Sequence, residues 1–182
     1  MLSADEKLQS IRRVVIRDIR KIQRVHYYVL DIYTHKDEET DSQPLPSKPT
    51  LPRLSLPHES EEERPAYRVI KRFRQFEALR KALQATVGAA KRHDCAYCQA
   101  FDTFLACSSM QPGRWVKWTK NTQKRAVVLE QCIYQLVRLC VRNQPEDASP
   151  HACSAQQLVP TIVEEFLCSR VEKKLRDSLV AR

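Results

Sequence analysis

The chain has 182 residues, 42% of them apolar, and its 31 Lys and Arg against 22 Asp and Glu leave a net charge of +9. That suits one ordinary domain, or one domain carrying an insert, and the basic excess favours an anionic partner: a phospholipid headgroup, nucleic acid or an acidic protein. The two glycines, Gly88 and Gly113, are too few for a dinucleotide-binding or P-loop cradle, and no apolar run approaches the ~18 residues of a membrane span.

Residues 1–10 read as a short polar lead. Its charged start lacks an apolar signal core, so secretion is not expected. Residues 11–19, rich in Ile and Val, predict a first strand, and the aromatic, β-branched residues 25–36 a second, with a hairpin around residues 20–24. Composition then changes. Residues 37–65 hold Pro44, Pro46, Pro49, Pro52, Pro57 and Pro65 between acidic clusters (Asp37, Glu38, Glu39; Glu59, Glu61, Glu62, Glu63). Such a segment cannot bury enough apolar surface to offset its ordering entropy, so a disordered insert is expected. Two strands alone are too little to fold, so the insert lies inside a domain and does not join two. Its PxxP steps (Pro46 to Pro49, Pro49 to Pro52) lack a well-placed flanking base, and a solvated spacer is the plainer reading.

Residues 66–73 predict a third strand. Phe76, Leu79, Leu83 and Val87 then recur at helical spacing, so a helix follows almost at once over 74–87. A second helix is expected over 94–109 with Phe101, Phe104 and Leu105 inward, broken by Pro112-Gly113. The clearest helix is 121–142, with Val128, Leu129, Cys132, Ile133, Leu136, Leu139 and Cys140 on its apolar stripe. The last runs from about 155 to 180, with Ser154 and Gln157 as a capping box and Pro160 near its start. Strands first and helices after make the α+β class: a three-stranded antiparallel meander followed by a bundle of about four helices. The chain reads as a single domain over 1–182, with its core over about 11–170 and the C-terminal helix end over 171–182.

The seven cysteines are odd in number. Cys132, Cys140 and Cys168 fall at core-like helical positions, so a reducing, intracellular chain with buried thiols is expected. Cys95 and Cys98 form a Cys-x-x-Cys step, half a zinc site. His93 and Cys107 complete it only if the chain folds back tightly, and two cysteines at a helix start is the plainer reading. No metal or cofactor is therefore assigned. Nor is catalysis: there is no His-Glu-x-x-His, no Gly-x-Ser-x-Gly and no paired carboxylates in an apolar setting.

Three constellations suit anion binding. Lys71, Arg72 and Phe73 close a strand just before Phe76 and Leu79 anchor a helix. A guanidinium there has fixed backbone on both sides and offers two parallel N–H bonds to a phosphate, while the adjacent ring can lie against a sugar. The alternative is a basic strand end with Phe73 in the core. Trp115 and Trp118, with Val116 between them and Arg114, Lys117 and Lys120 interleaved, suit a membrane interface or stacking on single-stranded nucleic acid. Arg125 begins the long helix, where an exposed helix arginine is the default.

These residues and their order resemble the phox-homology (PX) domain. The family's strand-to-helix signature, Arg-(Arg)-Tyr/Phe-x-x-Phe-x-x-Leu, is matched by Arg72-Phe73-Arg74-Gln75-Phe76-Glu77-Ala78-Leu79. Pro112-Gly113-Arg114 with Trp115 and Val116 looks like a shortened version of its proline-containing membrane loop. Arg125-Ala126-Val127-Val128-Leu129 is similar to its later Arg-x-x-x-Leu. PX domains bind phosphoinositides, most often phosphatidylinositol 3-phosphate on endosomes. The resemblance implies that Arg72 holds the 3-phosphate and Phe73 stacks on the inositol ring. Arg114, or its rival Lys117, meets the 1-phosphate, and Arg125 the 4- and 5-hydroxyls. Trp115, Val116 and Trp118 enter the bilayer. Phe in place of the commoner Tyr keeps the ring contact. The implied protein is a cytoplasmic, peripheral module on phosphoinositide-containing endosomal membranes, free to bind a protein partner too. Two rival classes remain: a basic nucleic-acid-binding domain, disfavoured because no recognition helix or RNP-type motif appears, and an adaptor whose lipid pocket is degenerate.

Overall fold

A computed structural model describes residues 2–35, 64–90, 95–107, 112, 121–142 and 153–168. Helix α1 (Ala4–Ser10) leads into strands β1 (Ile11–Ile22), β2 (Val25–Thr34) and β3 (Tyr67–Arg72), followed by α2 (Phe73–Ala89), α3 (Ala96–Ala106), α4 (Thr122–Arg142) and α5 (Ser154–Cys168). The strands form one antiparallel sheet in the order β1-β2-β3. The α+β meander with helices after it is therefore present as expected.

The polar lead is a correction. Residues 4–10 are helical because Ser3 and Glu6 close a capping box: the Glu6 N–H donates to Ser3 Oγ at 3.2 Å and the Ser3 N–H donates to Glu6 Oε2 at 2.6 Å. Leu8 then enters the core at 1% exposure. The hairpin is tighter than predicted. β1 runs to Ile22, and the turn is Gln23-Arg24 alone, with φ of 47° and 66°. Two successive left-handed residues make the mirror-image turn that matches strand twist, here without the usual glycine.

β2 is buried along Tyr27–Tyr33, on both faces of the sheet. One face carries Tyr28, Leu30 and Ile32 beside Val14 and Ile16 of β1 and Val69 of β3, and this face joins the helices in the main core. The register slips between Ile16 and Asp18, so Ile16 and Ile19 both face the core. The Ile16 N–H at this bulge donates to Glu130 Oε2 of α4 at 2.7 Å, which keeps a disrupted ladder group satisfied. The other face carries Tyr27, Val29, Asp31 and Tyr33. It is covered by arginines: Arg13 lies over the Tyr33 ring, Arg72 over Tyr27, and Arg68 donates from Nε and Nη2 to the two carboxylate oxygens of buried Asp31.

The helices pack close to the stripes read from the sequence, except that in the long helix Val128 and Leu139 are only half-buried while Ala126 and Val137 are buried. α2 buries Phe73, Phe76, Leu79, Leu83 and Val87, and α4 buries Ala126, Leu129, Cys132, Ile133, Leu136, Val137 and Cys140. α5 buries every fourth residue (Ala155, Val159, Val163, Leu167) and lies against α1 and α2. Phe76 centres this packing, edge-on to Tyr28 at 5.9 Å and to Phe166 at 5.2 Å.

Further details differ from expectation. Phe104 is only half-buried. Cys168 is exposed, its thiol 3.7 Å from the Tyr67 hydroxyl. The cap of α5 is Cys153, whose N–H donates to Gln156 Oε1 at 2.9 Å, one position before the predicted Ser154–Gln157 box. Pro160 sits buried inside the helix, which continues on both sides of it. Residues 36–63 of the insert region and 169–182 lie outside the described residues. Among the described residues no helix is long and apolar enough to cross a membrane.

Candidate functional site

β3 passes into α2 with no loop. Arg72 is the last strand residue and caps the helix, and its backbone N–H donates to Gln75 Oε1 at 2.7 Å, which fixes the junction. Phe73, the next residue, turns its ring into the edge of the core at 8% exposure. α4 begins at a second well-built cap. Asn121 Oδ1 accepts from the N–H groups of Gln123 at 2.9 Å and Lys124 at 3.1 Å. One residue further on, the Arg125 guanidinium lies over the Phe73 ring, 5.6 Å from its centroid.

Two helix N-termini therefore meet at Phe73. Neither α2 nor α4 has an acidic residue in its first turn, so no side-chain charge there offsets the positive end of either backbone dipole. The hairpin end adds charge, with Lys21 paired across the strands with His26. Burial, then Arg125 and Lys21, hold the His26 imidazole below its ordinary pKa. Arg125 also acts electrostatically on the buried Tyr28 hydroxyl. Burial raises its pKa and Arg125 opposes that rise.

The structure brings Phe73 and Arg125 together. Arg72 is placed differently. It pairs with Tyr27 across β2 and β3, so it belongs to the outer face of the sheet, and its guanidinium lies 5.1 Å from the Tyr27 ring centroid. Lys71, one position earlier, points to the other face and is buried at 2% exposure with its ammonium 4.7 Å from the Phe166 ring centroid. The two arginines thus flank the strand-to-helix junction from opposite faces of the sheet. His26 and Tyr27 were missed by the motif reading; alternation along the second strand, paired to the end of the third, is the signal that locates them. Arg114, Trp115, Val116, Lys117 and Trp118 lie outside the described residues.

A second cluster lies away from this junction. Cys95 caps α3, Cys98 sits in its first turn, and Cys153 caps α5. Their sulfur atoms all lie within 4.8 Å of one another. Cys107, paired with them in the sequence reading, is instead the exposed cap at the far end of α3, and His93 lies outside the described residues.

Comparison of the chain with protein-family models, curated proteins and solved structures finds no match.

Proposed function

We propose that the chain is a phosphoinositide-binding module of the PX type, a binding protein and not an enzyme, which recruits a cytoplasmic protein to endosomal membranes. Its first ligand on this reading is phosphatidylinositol 3-phosphate. The observation that supports it best is the stack of Arg125 on Phe73 where two helix N-termini meet, neither with an acidic residue in its first turn. A phosphorylated inositol offers negative charge for the helix ends and guanidinium groups, and a ring to lie against an aromatic edge.

On this reading Arg125 meets ring hydroxyls, and Arg72 swings from Tyr27 to take the 3-phosphate. Arg72 is exposed, so leaving the ring costs only about 0.5–1 kcal/mol. The basic residues nearby add general attraction to anionic lipid of roughly 1 kcal/mol per cation. Arg114 or Lys117 would meet the 1-phosphate, with Trp115, Val116 and Trp118 entering the bilayer.

The test compares vesicles with oligonucleotides at near-physiological salt. Binding to vesicles containing phosphatidylinositol 3-phosphate, above charge-matched phosphatidylserine vesicles and above single-stranded oligonucleotide, is expected. Tryptophan fluorescence should shift to the blue on those vesicles. Preference for the oligonucleotide, with no spectral change on vesicles, would replace the lipid reading with the nucleic-acid one.

A further inference from the structure

Three cysteines from two distant parts of the chain converge, and their geometry goes beyond chance packing of small apolar side chains. The Cys98 and Cys153 sulfurs are 3.4 Å apart, and all three sulfurs lie within 4.8 Å of one another. In a tetrahedral site with zinc–sulfur bonds of about 2.3 Å, neighbouring sulfurs stand about 3.8 Å apart. The observed cluster brackets that value, and a disulfide at ~2 Å could use only two of the three.

The backbone around each sulfur is fixed. Cys95 caps α3, and its carbonyl accepts the Gln99 N–H at 3.1 Å. The Cys98 N–H donates to Cys95 Sγ at 3.5 Å, the outer donor that typically orients a thiolate ligand. Cys153 is held by reciprocal bonds with Gln156: its N–H donates to Oε1 at 2.9 Å and its carbonyl accepts the Gln156 N–H at 2.9 Å. Cys98 and Cys153 are buried while Cys95 is only partly so, which leaves a route of entry.

The charges balance as well. Zinc with three thiolates carries about −1, and the N-termini of α3 and α5 supply roughly +0.5 each. Neither helix places an acidic side chain in its first turn to compete for that field. We propose that Cys95, Cys98 and Cys153 bind one zinc ion, which staples the start of α3 to the start of α5. Each thiol that ligates releases its proton to solvent, and the fourth position of the tetrahedron goes to a water or another added donor. Thiolate sulfur in tetrahedral geometry selects zinc over magnesium or calcium. This site is independent of the lipid-binding reading, so either can fail alone.

The test uses the full chain purified under reducing conditions. One zinc per chain is expected by elemental analysis. Cobalt substitution should give an intense thiolate-to-metal band in the near ultraviolet and the visible bands of a tetrahedral ion. Losing even an outer-shell partner costs 10–100-fold in affinity, so Cys153→Ser should weaken cobalt binding by more than about 100-fold. Cys107→Ser should leave the spectrum unchanged, and far-ultraviolet circular dichroism reports whether each variant is folded. Should Cys153→Ser not fold, the wild-type cobalt spectrum decides. Octahedral bands, no thiolate band, or a Cys98–Cys153 disulfide found by mass spectrometry after rapid thiol blocking would each overturn the proposal.

Discussion

Replacing Arg72 with Ala tests the headgroup reading at its most exposed point. The bound arginine would make charge-assisted hydrogen bonds to a phosphate, worth about 1.5–3 kcal/mol. In the free protein it rests 5.1 Å from the Tyr27 ring centroid, a contact worth about 0.5–1 kcal/mol that must be given up first. The difference, about 0.5–2.5 kcal/mol, predicts that Arg72→Ala weakens binding to phosphatidylinositol 3-phosphate vesicles by roughly 2–70-fold. Stability should fall by no more than about 0.5–1 kcal/mol, the worth of the Tyr27 contact. A partner variant sharpens the test. Tyr27→Leu keeps an apolar side chain under the guanidinium but removes the aromatic face, so it should tighten vesicle binding by about 2–5-fold. Sedimentation with vesicles of matched charge, with and without the 3-phosphoinositide, measures both variants, and a melting curve checks each fold. Wild-type binding by Arg72→Ala would refute the reasoning. So would an equal loss on vesicles carrying only phosphatidylserine, since Arg72 would then supply general charge alone.

Other outcomes follow from the same contacts. Leu8→Ala should lower stability by about 2–5 kcal/mol in a denaturant titration, because Leu8 is 1% exposed and its loss opens a cavity beneath α1. His26 has its pKa lowered chiefly by burial and then by Arg125 and Lys21, so the folded state binds fewer protons than the unfolded one. Its contribution to stability is present above about pH 6.5 and is lost as the pH falls below that value. An anion bound beside Arg125 should raise the His26 pKa, visible in an NMR titration of its ring protons. No change at saturating headgroup would place the ligand elsewhere. Lys71 is buried, and desolvation lowers its pKa against the opposing pull of Cys168 and Glu165. Lys71→Met should therefore melt at or above the wild-type temperature at pH 7, with the gap closing as the pH rises and the buried ammonium loses its proton. A large loss of stability in Lys71→Met at pH 7 would mean that the ammonium is a net stabilising group.

The parts of the fold that were legible are those where burial imposes a period. Phe76, Leu79, Leu83 and Val87 recur as only a buried helix face requires, and α2 follows them. α1 was missed because a helix of 7 residues that buries one of them, Leu8, leaves no period to read. Its signal was the Ser3–Glu6 capping box, a local hydrogen-bond pattern and not a hydrophobic one. The two-residue hairpin turn is hidden in the sequence because Gln23 and Arg24 adopt left-handed backbone without the Asn-Gly signature that usually marks such a turn. The bulge after Ile16 is invisible in composition, since its missing ladder bond is made good by Glu130 from a distant helix.

The site divides along the same line. Local sequence pointed to Arg72 and Phe73, because a strand that runs straight into a helix leaves its cap residue on a fixed backbone. What the pattern could not contain is the side of the sheet each group occupies. A strand alternates, so Lys71 and Arg72 must diverge. The register then decides that Lys71 goes under Phe166 while Arg72 goes over Tyr27. Arg125 reaches Phe73 only because α4, packed on β1, starts beside the hairpin end. The thiols follow the same logic. Cys95 and Cys98 were readable as a pair, but their third member is set by where α5 begins. Cys107 fails as a ligand simply because α3 carries it to the opposite end. Both proposals, the headgroup site and the zinc site, thus rest on where helices start. Four of those starts carry no acidic residue in the first turn and fall in two pairs, α2 with α4 at the Phe73–Arg125 contact and α3 with α5 at the three thiols.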